Sequence, residues 1–329
     1  MIDELFDFPF YKWEEKLKNK PFLKQPFGDL WENYTWEQVG NMARKLSTGL
    51  KSMGLPEKSH IGLVSKNCRE WIIADLAISM SGHISVPFFP TLKSYEIEKL
   101  LDFGDVSALF VGKLENWEEM KQGVRDDMPI IAFPHYKDHS KISEGKQWYD
   151  FINEFDAQTE DFKPKLKDIW TIIFTSGTTG DPKGVVLTYE TLYNTKRITE
   201  DGNPLKVDFS GNNDFISYMP LNHIFERVVI EHSAFRFGGT ISFVESLETF
   251  GQNLNDVKPT AFQGVPRIYS KFQEKILMKM SQKKLSTLLK IPIISFILKK
   301  KLRGALGMSR VRSLVTGAAA MPLELLDWY

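Results

Sequence analysis

From Thr35 onward the apolar positions first recur at three- and four-residue intervals: Val39, Met42, Ala43, Leu46 and Leu50 form one stripe that runs toward Gly54. That spacing predicts an amphipathic helix. Thr35 followed three residues later by Gln38 supplies a capping box for its start. The residues up to Lys58, with Trp13, Trp31 and Trp36 set among Lys and Glu, otherwise read as mixed and helical. Then the period shortens. Compact apolar runs at 60–66, 84–89, 107–112 and 129–133 predict strands, with helices between them, including 94–103 and 115–124. Asn67, with Glu70 three places on, is expected to cap the helix that carries Trp71, Ile72, Leu76 and Ile78.

The polar, acidic stretch 135–167 interrupts the alternation and is expected to be a long surface excursion. After it, strands at 169–174 and 185–188 enclose a Thr-, Ser- and Gly-rich turn, and a helix is predicted over 189–199. A second series follows, with strands at 215–219, 240–244, 260–264 and 311–316 and helices at 223–235, 247–257 and from Pro266. Such alternation implies parallel sheets covered by helices. The expected fold is α/β with two doubly wound lobes. Residues 59–200 form the first, ending in the hydroxyl-rich turn, and residues 1–58 with 201–329 form the second, incomplete at its C-terminal end. In such folds the ligand crevice opens where the carboxyl ends of the strands meet.

Composition narrows the function more than the fold. With 42% hydrophobic and 26% charged residues the chain is globular, not disordered or fibrous. Its 42 basic residues balance 42 acidic ones, so no global field attracts nucleic acid. A lone Cys68 and an acidic start without a leader pattern suggest the cytoplasm. No apolar run approaches the roughly 18 residues of a spanning helix. The balance hides one biased segment: Lys271 to Arg312 holds twelve basic residues against the single Glu274, a local charge of +11. Within it lie Leu288, Leu289, Ile291, Ile293, Ile294, Phe296, Ile297 and Leu298. Two readings stand: a segment resting on the anionic inner face of a membrane, or a helical hairpin, broken at Pro292, whose apolar face packs on its own protein.

The segment with the clearest chemistry is FTSGTTGDPKGV, residues 174–185. Gly177, Gly180 and Gly184 allow a tight backbone whose N–H groups can converge on anionic oxygens. Thr175, Ser176, Thr178 and Thr179 add neutral donors, and Lys183 adds a positive charge. It is not a Walker A loop, since Pro182 precedes the lysine and Gly184 follows it where Ser or Thr would be needed.

This loop, together with YMPLNHIFERVVIE (218–231), PTAFQGVPRIYSK (259–271) and SLVTGAAAMPLELL (313–326), resembles the acyl-adenylate-forming superfamily, most nearly the N-terminal portion of long-chain fatty acyl-CoA synthetases. The resemblance runs from about Thr35 to Tyr329. It implies that a fatty acid is joined to ATP as an acyl-adenylate and passed to coenzyme A, with Mg2+ on the triphosphate. Thr175, Ser176, Gly177, Thr178, Thr179, Gly180 and Lys183 would then wrap the phosphates, while Gly317, Ala318 and Ala319 would leave a flat slot for adenine. His223 and Lys183 become the catalytic candidates, and His223, Phe225, Arg227 and Gly264 the acid-binding ones; the alternative for Arg227 is pairing with Glu226 or across the lobe. The superfamily's magnesium motif, ribose-holding Asp and C-terminal domain with its own lysine are not found in these residues, which implies a truncated enzyme. A carrier-protein ligase, or a nucleotide- or membrane-binding module without turnover, are the alternative readings.

Overall fold

The computed structural model describes residues 5–176, 182–203 and 205–329. Its first two strands, β1 (Pro21–Phe27) and β2 (Leu30–Thr35), form an antiparallel hairpin in the region expected to be helical. Two prolines and the lack of clean alternation hide it. The usable signal is Gly28-Asp29, a two-residue turn with Gly28 at φ 61°.

Seven strands build the largest sheet: β3 (His60–Ser65), β4 (Ile84–Phe88), β5 (Val106–Gly112), β6 (Ile130–Ala132), β7 (Lys146–Gln147), β8 (Ile169–Ser176) and β9 (Pro182–Thr188). Their order is β7-β6-β5-β3-β4-β8-β9, parallel throughout except for the β8–β9 hairpin at one edge. Runs such as IGLVS are apolar on both faces because helices cover both sides of a parallel sheet. β4 and β5 lie on opposite sides of β3, so the winding direction reverses there. Next come β10 (Asp214–Ser217) and β11 (Thr240–Phe243), which join β1 and β2 in a four-stranded sheet, β10-β11-β1-β2. Finally β12 (Ala261–Gly264) and β13 (Ser313–Thr316) pair in parallel.

Every residue of the helix Arg69–Met80 is buried, and the helix Trp36–Ser52 packs on it. Residues before Lys58 therefore give two strands to one sheet and a helix to the cover of the other. The expected capping box is present at Thr35 and Gln38, with bonds of 2.8 and 3.2 Å. The second expected cap is not: Cys68 takes the cap position of Arg69–Met80, and Asn67 points elsewhere.

The stretch 135–167 also departs from expectation. Tyr136, Trp148, Phe151 and Ile152 are buried in the main core, and Trp148 meets Phe133 edge-on at 5.0 Å. A few aromatic anchors fasten a chain whose composition is mostly polar. The basic segment folds as the helices Gln282–Leu289 and Pro292–Ala305, broken at Lys290 and Ile291, with Pro292 in the first turn where its missing N–H costs nothing. Among the described residues no helix is long and apolar enough to cross a membrane.

Candidate functional site

The carboxyl ends of the strands of the two larger sheets face one another, and polar side chains stitch them together. Asn67, two residues beyond β3, donates from Nδ2 to Ser217 Oγ (2.8 Å) and to the Met219 carbonyl (2.6 Å). Its Oδ1 accepts the Leu221 N–H at 3.0 Å. Lys113, immediately after β5, reaches the carbonyls of Asn67 and Glu245, both at 3.3 Å. Burial holds its ammonium pKa below the usual lysine range, and the Tyr136 ring lies 5.1 Å from Nζ.

The connection gripped by Asn67 leads to His223. This residue caps the short helix Ile224–Glu226, its Nδ1 accepting the Phe225 N–H at 3.2 Å. With Nδ1 an acceptor, the ring proton of the neutral imidazole sits on Nε2. His223 is exposed, so a cap on one nitrogen leaves an N–H donor on the other.

Behind it lies a buried carboxyl. Glu226 Oε1 accepts the Tyr218 N–H (3.0 Å) and Oε2 accepts from Gln263 Nε2 (3.3 Å). Gln263 also donates to the Ile216 carbonyl (3.0 Å), and Tyr218 Oη donates to the Gln263 carbonyl (2.6 Å). One side chain thus ties the ends of β10 and β12 together. Burial pushes the Glu226 pKa up to about 8 against the pull of these donors, so the group is largely protonated at neutral pH.

Arg227, expected at the acid, is fully buried. Its Nη2 contacts both Asp75 oxygens at 2.6 Å, Nη1 donates to Thr171 Oγ1 at 2.7 Å, and Nε meets Glu231 at 3.3 Å. The Trp170 ring lies 4.1 Å from the guanidinium. These contacts fasten the π-helical turn Arg227–Glu231 to the helix Arg69–Met80 and to β8, an interior role in place of the expected substrate contact.

Phe225 is half-buried against the end of β13. A Cβ placed on Gly317 would stand 2.4 Å from its ring, so only glycine fits beneath it. Ala318 follows with φ 62°, in the left-handed region that costs a non-glycine residue about 1–2 kcal/mol; Ala319 is exposed. Gly264 is buried, and a Cβ there would lie 3.2 Å from Tyr218 Oη and from the Tyr269 ring. The space beside it is filled by tyrosines.

Register places Thr175 opposite Lys183 and Ser176 opposite Pro182 in the β8–β9 hairpin. Thr175 and Lys183 are both exposed. Gly177, Thr178, Thr179 and Gly180 lie outside the described residues. Among the described residues no group of three or more His, Cys, Asp or Glu gathers for a metal ion. Asn67, Tyr218 and Gln263 were missed from sequence; the position of Asn67 just past a central parallel strand was the available clue.

The fold and site define an adenylate-forming architecture. The profile of the family described as AMP-binding enzyme matches residues 10–329, and the chain belongs to that family. Among curated relatives, Long chain acyl-CoA synthetase 5 of Arabidopsis thaliana is 29% identical over 259 residues, 75% of this chain and 39% of its own length. Long chain acyl-CoA synthetase 1 of the same plant is 28% identical, covering 91% and 50% respectively. The chain thus spans half or less of the length of these relatives. Among solved structures, the anthranilate CoA ligase AuaEII in complex with anthranoyl-AMP superposes with a TM-score of 0.75 at 19% identity, over 96% of this chain and 55% of that one. The A domain of a carboxylic acid reductase from Segniliparus rugosus, in complex with AMP and a co-purified carboxylic acid, gives 0.74 at 16%, covering 97% and 57%. At these identities the likeness supports the fold.

Proposed function

We propose that this chain is the nucleotide- and acid-binding part of a ligase that activates a long-chain fatty acid with ATP and transfers the acyl group to coenzyme A. The observation that carries the reading is His223: its Nδ1 is occupied by its own helix, which leaves Nε2–H to meet an oxygen of the reacting carboxylate or phosphoryl group at the end of β10. A donor oriented in advance needs no rearrangement as charge develops. The long-chain acyl-CoA synthetases among the relatives supply the substrate class.

In this reading Thr175 and Lys183, exposed on facing strands, hold the β and γ phosphates together with residues 176–180. Gly317 to Ala319 receive adenine, and the acid lies along His223 and Phe225, not along Gly264, whose flank the tyrosines fill. Magnesium, when bound with the triphosphate, neutralises charge on its oxygens; one or two carboxylates and water commonly suffice to hold it. The lobes are proposed as 59–200 and 1–58 with 201–329, on the sheet membership of their strands. A cytoplasmic location is part of the same proposal.

Calorimetric titration of the 329-residue chain with ATP tests it. Lys183→Ala is expected to weaken ATP binding by about tenfold, the loss of one charge-assisted contact. His223→Ala should leave ATP binding within about twofold and weaken a nonhydrolysable acyl-adenylate analogue by about tenfold. Equal affinities in all three proteins would refute the assignment.

A further inference from the structure

We propose that the hairpin Gln282–Leu289 and Pro292–Ala305 docks on an anionic lipid bilayer, with the first two turns of its second helix inserted among the acyl chains. No residue of Pro292–Ala305 is buried. Ser295, Leu298 and Leu302, at three- and four-residue spacing, are half-buried and mark the side toward the protein. The opposite side presents Ile293, Phe296 and Ile297, which are 75%, 72% and 59% exposed. At 3.6 residues per turn Lys300 falls on that same side, with Lys299 and Arg303 on one flank and Lys301 on the other. The outward face is therefore apolar in its first half and basic in its second.

Charge selects the occupant. Residues 282–305 carry seven basic side chains and no acidic one. Among the described residues no carboxylate pairs with Lys283, Lys284, Lys290, Lys299, Lys300 or Lys301, whereas Arg310 and Arg312 just outside the hairpin are tied to Asp214 at 2.7 Å and Asp208 at 3.8 Å. A second copy of the chain would bring like charge against like. A bilayer surface rich in phosphate headgroups offers negative charge around an apolar interior, the two chemistries this face presents. The inference stands apart from the ligase reading, since neither ATP nor acid takes part.

Co-sedimentation of the 329-residue chain with phosphatidylcholine vesicles, with and without about a third phosphatidylglycerol, tests it. Binding is expected only with the anionic lipid and is lost at high salt, where screening shortens the reach of the lysines. Lys299→Glu/Lys300→Glu/Lys301→Glu should lower partitioning roughly 100-fold, and Phe296→Ser/Ile297→Ser at least about tenfold. All five positions are exposed, and unchanged circular dichroism verifies the fold. Phe296→Trp should be quenched by lipids brominated in the acyl chain. Equal binding to neutral vesicles, no binding, or binding unaffected by both variants overturns the proposal. So does a dimer in sedimentation velocity that Phe296→Ser dissolves, which would assign the face to a second copy.

Discussion

Replacing Arg227 by Met removes a cation on which two buried carboxylates depend. Burial and the charge of Asp75 raise the Glu231 pKa well above the carboxylate range, while the Arg227 guanidinium pulls it down. Met retains the bulk of the arginine stem and leaves Asp75 with the Ser85 hydroxyl at 2.5 Å. Removing one partner of a buried pair costs about 3–5 kcal/mol, much of it the penalty of the stranded charge. With an unfolding entropy of about 2.1 cal/mol/K per residue, that loss lowers the melting temperature by roughly 4–7 °C for a chain of this size. Scanning calorimetry at two pH values is the assay. The stranded Asp75 acquires a raised pKa in the folded variant, so the variant regains stability as the pH falls toward the unfolded value near 4. The gap to the parent should accordingly be wider at pH 7 than at pH 5. A melting temperature within about 1 °C of the parent, or an unchanged one with weakened acid binding, would refute the reasoning and return Arg227 to the substrate.

Gly317→Ala should destabilise by about 1–3 kcal/mol through collision with Phe225, and adding Phe225→Ala should recover most of that loss; urea unfolding of the two single variants and the double variant measures the coupling. Asn67→Ala should cost about 1–3 kcal/mol by the same measurement. On the proposed function it should also slow ATP–pyrophosphate exchange, because the end of β10 loses one hydrogen bond to this side chain and the connection carrying His223 loses two. Glu226, whose folded pKa is raised to about 8 from 4.5, draws stability down as the pH rises between those values, since the unfolded chain ionises first. The urea midpoint of Glu226→Gln, measured against the parent, should therefore climb from pH 5 to pH 8. A difference that stays flat would mean that the carboxyl is ionised in the fold.

The strands of both parallel series were legible because each is a short apolar run bounded by turn residues, as in IGLVS and TISF. The hairpin β1–β2 was not, because proline and mixed burial erase its period, and neither was the anchoring of Tyr136 and Trp148, since a lone aromatic has no periodicity. At the candidate site, Thr175 and Lys183 were singled out by the residue types of their loop, and His223 by the family resemblance and not by spacing. The interior place of Arg227 was not legible. It depends on Asp75 and Thr171, which lie far away in sequence, and no local pattern announces a partner supplied by folding.

The ring of Phe225 fills the space that a Cβ on Gly317, just past β13, would take. On the proposed function, a nucleotide that shifts the small-residue turn would move the ring, and an acid that shifts the ring would disturb the turn. Such mutual influence is reciprocal by thermodynamic necessity: whatever factor one ligand adds to the affinity of the other, it receives in return. On the proposed function, the close approach of one glycine and one aromatic thus couples the two ligands through a shared free energy, whichever binds first.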